Sequence, residues 1–84
     1  MKFTPKKSLG QNFLTDQKIL NLIVNAANIS DDDIILEVGP GTGNLTEKIL
    51  NKSLKSLTVI EKDKRFLNHL HTKFGKKINL IHED

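Results

Sequence analysis

Eighty-four residues limit this chain to one small domain with a modest buried core. Thirteen basic residues against ten acidic ones give a net charge of +3, and the absence of cysteine excludes disulfides, zinc–thiolate sites and thiol nucleophiles. No apolar run approaches the roughly 20 residues that span a bilayer, and the basic start Met1–Lys7 has no apolar segment behind it, so it does not read as a signal peptide. A cytoplasmic location and no membrane partner are the expectations.

The charge is unevenly spread. Residues 1–30 carry four lysines and one aspartate, residues 31–61 six acids and three lysines, and residues 62–84 six basic residues and three acids. Basic segments flank an acidic middle, an arrangement suited to a polyanion around a less basic site. For any single lysine, a solvated surface position explains the residue equally well.

In chain order, residues 1–14 lack periodicity and contain Pro5 and Gly10, so they read as an extended arm; residues 15–84 carry the predicted helices and strands. Thr15 is a candidate N-cap with Asp16 in the first turn. Ile19, Leu20, Ile23 and Ala27 recur at helical spacing, which predicts an amphipathic helix over 16–28. After the polar break 28–33, residues 34–38 form a short apolar run without alternation, predicting a strand buried on both faces. A glycine turn follows. Leu45, Ile49 and Leu50 predict a short helix, and residues 57–60 a second strand. Asp63 is placed to cap a helix whose apolar face is Phe66, Leu67, Leu70 and Phe74, with Gly75 as its stop. Residues 78–81 predict a third strand, with Asp84 just past its end.

A helix followed by β-α-β-α-β predicts a parallel sheet in the order 3-2-1, because such crossovers are right-handed. Ligands in such sheets bind beyond the carboxyl ends of the strands. Gly39, Glu61 and Asp84 each follow a strand end, so all three are expected along one rim.

The segment Ile34-Ile-Leu-Glu-Val-Gly-Pro-Gly-Thr-Gly-Asn44 carries the chemistry. Glycine turns between strand and helix also arise for structural reasons alone, so the flanking acids matter. A dinucleotide fingerprint from Gly39 requires glycine or alanine at position 44, where Asn44 stands. The pattern is instead Glu37 two residues before three alternating glycines, that of class I S-adenosylmethionine-dependent methyltransferases. An acid near the turn can receive the cofactor's ammonium, directly or through water. Glu61, 22 residues after Gly39, can accept hydrogen bonds from both ribose hydroxyls; its structural alternative is an acid favoured by a helix N-terminus. Asp84 can accept from the adenine amino group or be a solvated residue. His69, His71 and His82 form no catalytic set and show no metal-ligand spacing, and no metal is expected.

Three segments then carry a resemblance. Pro5-Lys-Lys-Ser-Leu-Gly-Gln-Asn-Phe-Leu14, Leu36-Glu-Val-Gly-Pro-Gly-Thr-Gly-Asn-Leu-Thr46 and Val59-Ile-Glu61 closely resemble the ribosomal RNA adenine dimethyltransferases of the KsgA type. Erm-type enzymes acting on large-subunit RNA share Gln-Asn-Phe-Leu, but Lys-Lys-Ser-Leu-Gly and Gly-Pro-Gly-Thr-Gly look more like the KsgA type. The resemblance implies an α/β fold, the N-terminal part of a class I methyltransferase. It implies dimethylation of two adjacent adenosines near the 3′ end of small-subunit ribosomal RNA, with the RNA or its subunit precursor as partner and a monomeric state. It implies that Asn12 and Leu14 contact S-adenosyl-L-methionine from the arm, that Gln11 and Phe13 fold the arm over the pocket, that Gly39 lines the methionine portion and that Gly41 also binds the cofactor. Glu61 then holds the ribose and Asp84 the adenine, while Lys2, Lys6 and Lys7 contact RNA phosphates. The family's catalytic Asn-Leu-Pro-Tyr motif is absent from these residues. The expectation is therefore a cofactor half that is inactive alone and poorly stable as an open three-stranded sheet. A nucleic-acid-binding relative without catalysis, of the mitochondrial transcription factor type, and a dinucleotide-dependent oxidoreductase are the alternatives from other classes.

Overall fold

The computed structural model describes residues 16–83. The expectations for Lys2, Lys6, Lys7, Gln11, Asn12, Phe13, Leu14, Thr15 and Asp84 lie outside the described residues.

Asp16 caps the first helix, α1 (Gln17–Ala27), its carboxylate accepting the N–H groups of Lys18 and Ile19. The helix ends at Asn28, which adopts a left-handed φ of 52°. Strand β1 (Ile34–Val38) leads through the glycine turn into α2 (Asn44–Leu50). Strand β2 (Ser56–Glu61) is followed by α3 (Lys64–Phe74), which Asp63 caps through the Arg65 N–H and which stops at Gly75 with φ 54°. A 3-10 turn (Gly75–Lys77) precedes β3 (Asn79–His82).

The three strands form one parallel sheet in the order β1-β2-β3, the predicted order. Glu37 stands beside Val59, Val38 beside Ile60, and Glu61 beside His82. The ladder runs on past the strand ends. The Gly39 N–H donates to the Ile60 carbonyl at 2.8 Å, and the Glu83 N–H donates to the Glu61 carbonyl at 3.2 Å. The three strands therefore finish level with one another.

Both crossovers step in the same direction, so right-handedness places α2 and α3 on the same face. Leu20 and Val24 of α1, Leu45 and Ile49 of α2, and Leu70 and Phe74 of α3 share one core with Ile35, Leu57 and Val59. Each such side chain contributes about 1.5–3 kcal/mol of burial. The odd-numbered residues of β1 and β2 face these helices, and the even-numbered ones face away. This corrects one expectation: β1 is not buried on both faces. Ile34 is 69% exposed and Val38 43%, because no described helix packs on the second face.

Candidate active site: the cofactor half

The site begins at the end of β1. Glu37 lies on the helix-facing side of the strand and is fully buried. Its Oε1 accepts the hydroxyl of Thr46, in the first turn of α2, at 2.5 Å. Its Oε2 is buried with no hydrogen-bond partner among the described residues. Burial pushes this carboxyl up to about 7; the Thr46 hydrogen bond opposes the rise and the nearby Glu61 charge adds to it. A buried carboxyl with one oxygen unsatisfied is costly to ionise, and a positive group beside it would favour the anion.

The turn itself places Gly39, Gly41 and Gly43 at φ values of 70°, 59° and 89°. Gly43 is needed for a second reason. A Cβ there would meet Phe74 Cε2 at 2.6 Å and Leu70 Cδ2 at 3.1 Å, so bare backbone lets α2 start against α3. The Gly43 N–H closes the turn on the Pro40 carbonyl at 3.0 Å.

Glu61 reaches into this turn from β2. Its Oε1 accepts the Gly41 N–H at 3.2 Å and its Oε2 accepts the Asp63 N–H at 2.9 Å. It is 5% exposed, and it spans the gap between the glycine turn and the start of α3. A carboxylate has about four acceptor positions, so two remain for a diol. Asp63, not Glu61, serves as the cap of α3.

Two histidines hold the loops around this rim. The Nε2–H of His69 on α3 donates to the Thr42 carbonyl in the glycine turn at 3.0 Å, and that of His82 donates to the Lys62 carbonyl at 3.1 Å. A carbonyl only accepts, so each Nε2 carries the hydrogen. Neither link is visible in sequence, because each joins residues 20 or more positions apart. A cleft of about 560 Å³ opens beyond β2 and β3, lined by Lys62, Asp63, His82 and Glu83. A larger groove of about 780 Å³ lies at the opposite edge, among Glu47, Asn51, Lys52 and Lys55. It lies away from the glycine turn and its acids, and ligands of such sheets bind at the carboxyl edge.

Structure thus brings Glu37, Gly39, Gly41 and Glu61 together at one rim. Among the described residues no group of His, Asp and Glu is arranged to hold a metal ion, and no helix is long and apolar enough to cross a membrane.

A parallel sheet with this acid-and-glycine turn and an acid closing the next strand defines the cofactor half of a class I methyltransferase. Solved structures agree. A dimethyladenosine transferase from Plasmodium falciparum superposes with TM-score 0.74 at 34% identity, over 82% of this chain and 26% of that one. The 23S rRNA methyltransferase ErmE superposes with TM-score 0.70 at 32% identity, over 86% of this chain and 29% of its own. The family model for ribosomal RNA adenine dimethylase matches residues 2–84, and the chain belongs to that family, whose members are S-adenosylmethionine-dependent methyltransferases. Relatives named ribosomal RNA small subunit methyltransferase A include that of Ureaplasma urealyticum, 54% identical over 83% of this chain and 25% of its own length. That of Pelagibacter ubique is 48% identical over 94% and 30%, and that of Fusobacterium nucleatum 46% over 100% and 33%. The chain spans a quarter to a third of the length of these relatives.

Proposed function

We propose that these residues are the cofactor half of an S-adenosylmethionine-dependent enzyme that dimethylates adenosines of small-subunit ribosomal RNA. The observation that carries the reading is the pair of buried carboxylates, Glu37 and Glu61, on either side of one glycine turn. Both are donor-seeking groups, and S-adenosylmethionine offers an ammonium for one and a ribose diol for the other. Bound there, it supplies an electrophilic sulfonium methyl for direct displacement by an amino nitrogen. The residues of this chain bind and orient. Glu61 accepts the ribose hydroxyls on the acceptor positions its two backbone donors leave free. Glu37 offers a carboxyl oxygen under the turn whose ionised form an ammonium would favour, and Thr46 fixes its rotamer. Gly39 and Gly41 keep side chains out of the approach, and His69 and His82 hold the flanking loops in place.

The finer assignments follow family resemblance. Asn12 and Leu14 complete the cofactor contacts from the arm, Asp84 reads the adenine, and Lys2, Lys6 and Lys7 contact phosphates. By the same resemblance, the groups that orient the target amino nitrogen belong to an Asn-Leu-Pro-Tyr motif, which these residues do not include. The parent enzyme acts as a cytoplasmic monomer on the subunit precursor.

The test is methyl transfer from labelled cofactor by the full-length protein to small-subunit and large-subunit ribosomal RNA in parallel. Labelled adenines in the small-subunit RNA support the reading. Labelling confined to the large-subunit RNA assigns the Erm-type activity instead, and RNA binding without transfer assigns a non-catalytic relative.

A further inference from the structure

The lysines of the described residues are not distributed like a merely solubilising surface, on which both signs are interspersed. From Lys64 to His82, nineteen residues contain five lysines or arginines, three histidines and no acid. The fold collects this segment on one flank. Helix α3 is about 16 Å long at 1.5 Å per residue. It buries Leu70 and Phe74 in the core and exposes Lys64, Arg65, Asn68, Thr72 and Lys73. The 3-10 turn adds exposed Lys76 and Lys77 at its far end.

Local acids pair with two of these five lysines and arginines. Arg65 pairs with Asp63 at 2.7 Å, and Lys73 approaches Glu47 at 3.8 Å while lying 5.4 Å from the centroid of the Phe74 ring. Lys64, Lys76 and Lys77 have no ion pair among the described residues.

We propose that the solvent face of α3 and the turn after it form an RNA-backbone contact surface, gripping phosphates on the flank of the cofactor half rather than at its rim. This rests on the RNA-methyltransferase reading above. The chemistry of the face selects the ligand. Its apolar stripe is already buried in the core, so it has nothing to insert into a lipid surface, where an interfacial helix needs an exposed apolar face. Among the cations stand Asn68 and Thr72, polar groups that can hydrogen-bond phosphate or 2′-hydroxyl oxygens. Such contacts position RNA without reading its sequence.

The experiment compares two triple variants of the full-length protein by fluorescence anisotropy with a labelled RNA hairpin, over a salt titration. One is Lys64→Gln/Lys76→Gln/Lys77→Gln. The other, with the same change in charge, is Lys18→Gln/Lys48→Gln/Lys52→Gln on other elements. Gln matches Lys in helix propensity, so circular dichroism melts of both should resemble the unsubstituted protein. Each lost phosphate contact lowers the slope of log affinity against log salt by about 0.7–0.9, so the α3 triple should lose about 2–3 from the slope and the control less than about 1. Equal effects of the two triples, an unchanged slope in the α3 triple, or no RNA binding by the unsubstituted protein overturns the proposal. Competition by polyglutamate as strong as by RNA also overturns it, and assigns the face to an acidic protein. S-adenosylmethionine titrated into the same samples separates the two readings. Cofactor binding with an unaltered salt slope removes only the α3 surface, whereas loss of cofactor binding in the unsubstituted protein removes the enzyme reading.

Discussion

Thr46 and Glu37 are joined by a fully buried hydrogen bond of 2.5 Å that ties the first turn of α2 to the end of β1 directly beneath the glycine turn. The bond satisfies one carboxyl oxygen, and the other has no partner among the described residues. That imbalance makes ionising Glu37 in the fold costly.

Folding should be linked to the protonation of Glu37. Burial raises this carboxyl from its ordinary value of 4.5 to about 7 in the fold. Between those values the folded state binds more protons than the unfolded one, so stability falls as pH rises from about 4.5 through 7. The size is about 3 kcal/mol by the pKa-to-energy conversion. Thermal melts from pH 5 to pH 8 should show this loss, and Glu37→Gln should abolish it and be the more stable protein at pH 8. A melt of Glu37→Gln that tracks the parent across this range would show that another group governs the pH dependence.

Removing the Thr46 hydroxyl should cost stability without changing the packing volume much. Thr46→Val leaves both oxygens of Glu37 unpartnered, a loss of about 1–3 kcal/mol. The loss should be larger at pH 8 than at pH 5, because the lost donor favours the charged form. Equal losses at both pH values would place the effect in packing rather than in the hydrogen bond.

Gly43 makes a steric prediction. Alanine there requires a left-handed φ of 89° and places its Cβ 2.6 Å from Phe74 Cε2. Gly43→Ala should destabilise by at least about 2 kcal/mol, the sum of overpacking and backbone strain. Adding Phe74→Leu should recover part of the loss but not the backbone component. Urea denaturation of the three proteins measures this, and full recovery would exclude strain at φ.

Cofactor affinity should depend on Glu61 by charge-assisted hydrogen bonding. Glu61→Ala in the full-length protein should weaken S-adenosylmethionine binding by about 1.5–3 kcal/mol, the range for hydrogen bonds to a charged group. Calorimetric titration reads it, with circular dichroism to show that the fold is kept. Unchanged affinity in a folded variant would remove Glu61 from the ribose contact.

Much of this fold was legible because the signals are local. Asp63 and Gly75 bound α3 where the cap and stop rules put them, and the glycine turn and Glu61 mark the strand ends. Less local features were not legible. Residues 34–38 are apolar whether one face or both faces are covered, and only the position of the three helices reveals that Ile34 and Val38 face outward. Ile78 reads as strand, yet it sits in the core just before pairing begins at Asn79. The N-cap of α1 is Asp16 rather than the expected Thr15, because the Asp16 carboxylate accepts the Lys18 and Ile19 N–H groups. The Glu37–Thr46 bond and the His69 link to Thr42 depend on tertiary placement, for which sequence spacing holds no signal.

The central claim is that the glycine turn and its two carboxylates select S-adenosylmethionine. Calorimetric titration of the full-length protein with S-adenosylmethionine and with NAD tests it most directly. The account predicts binding of S-adenosylmethionine that weakens in Glu61→Ala, and no competing binding of NAD. Tighter binding of NAD, or S-adenosylmethionine binding that is the same with and without Glu61, would contradict it.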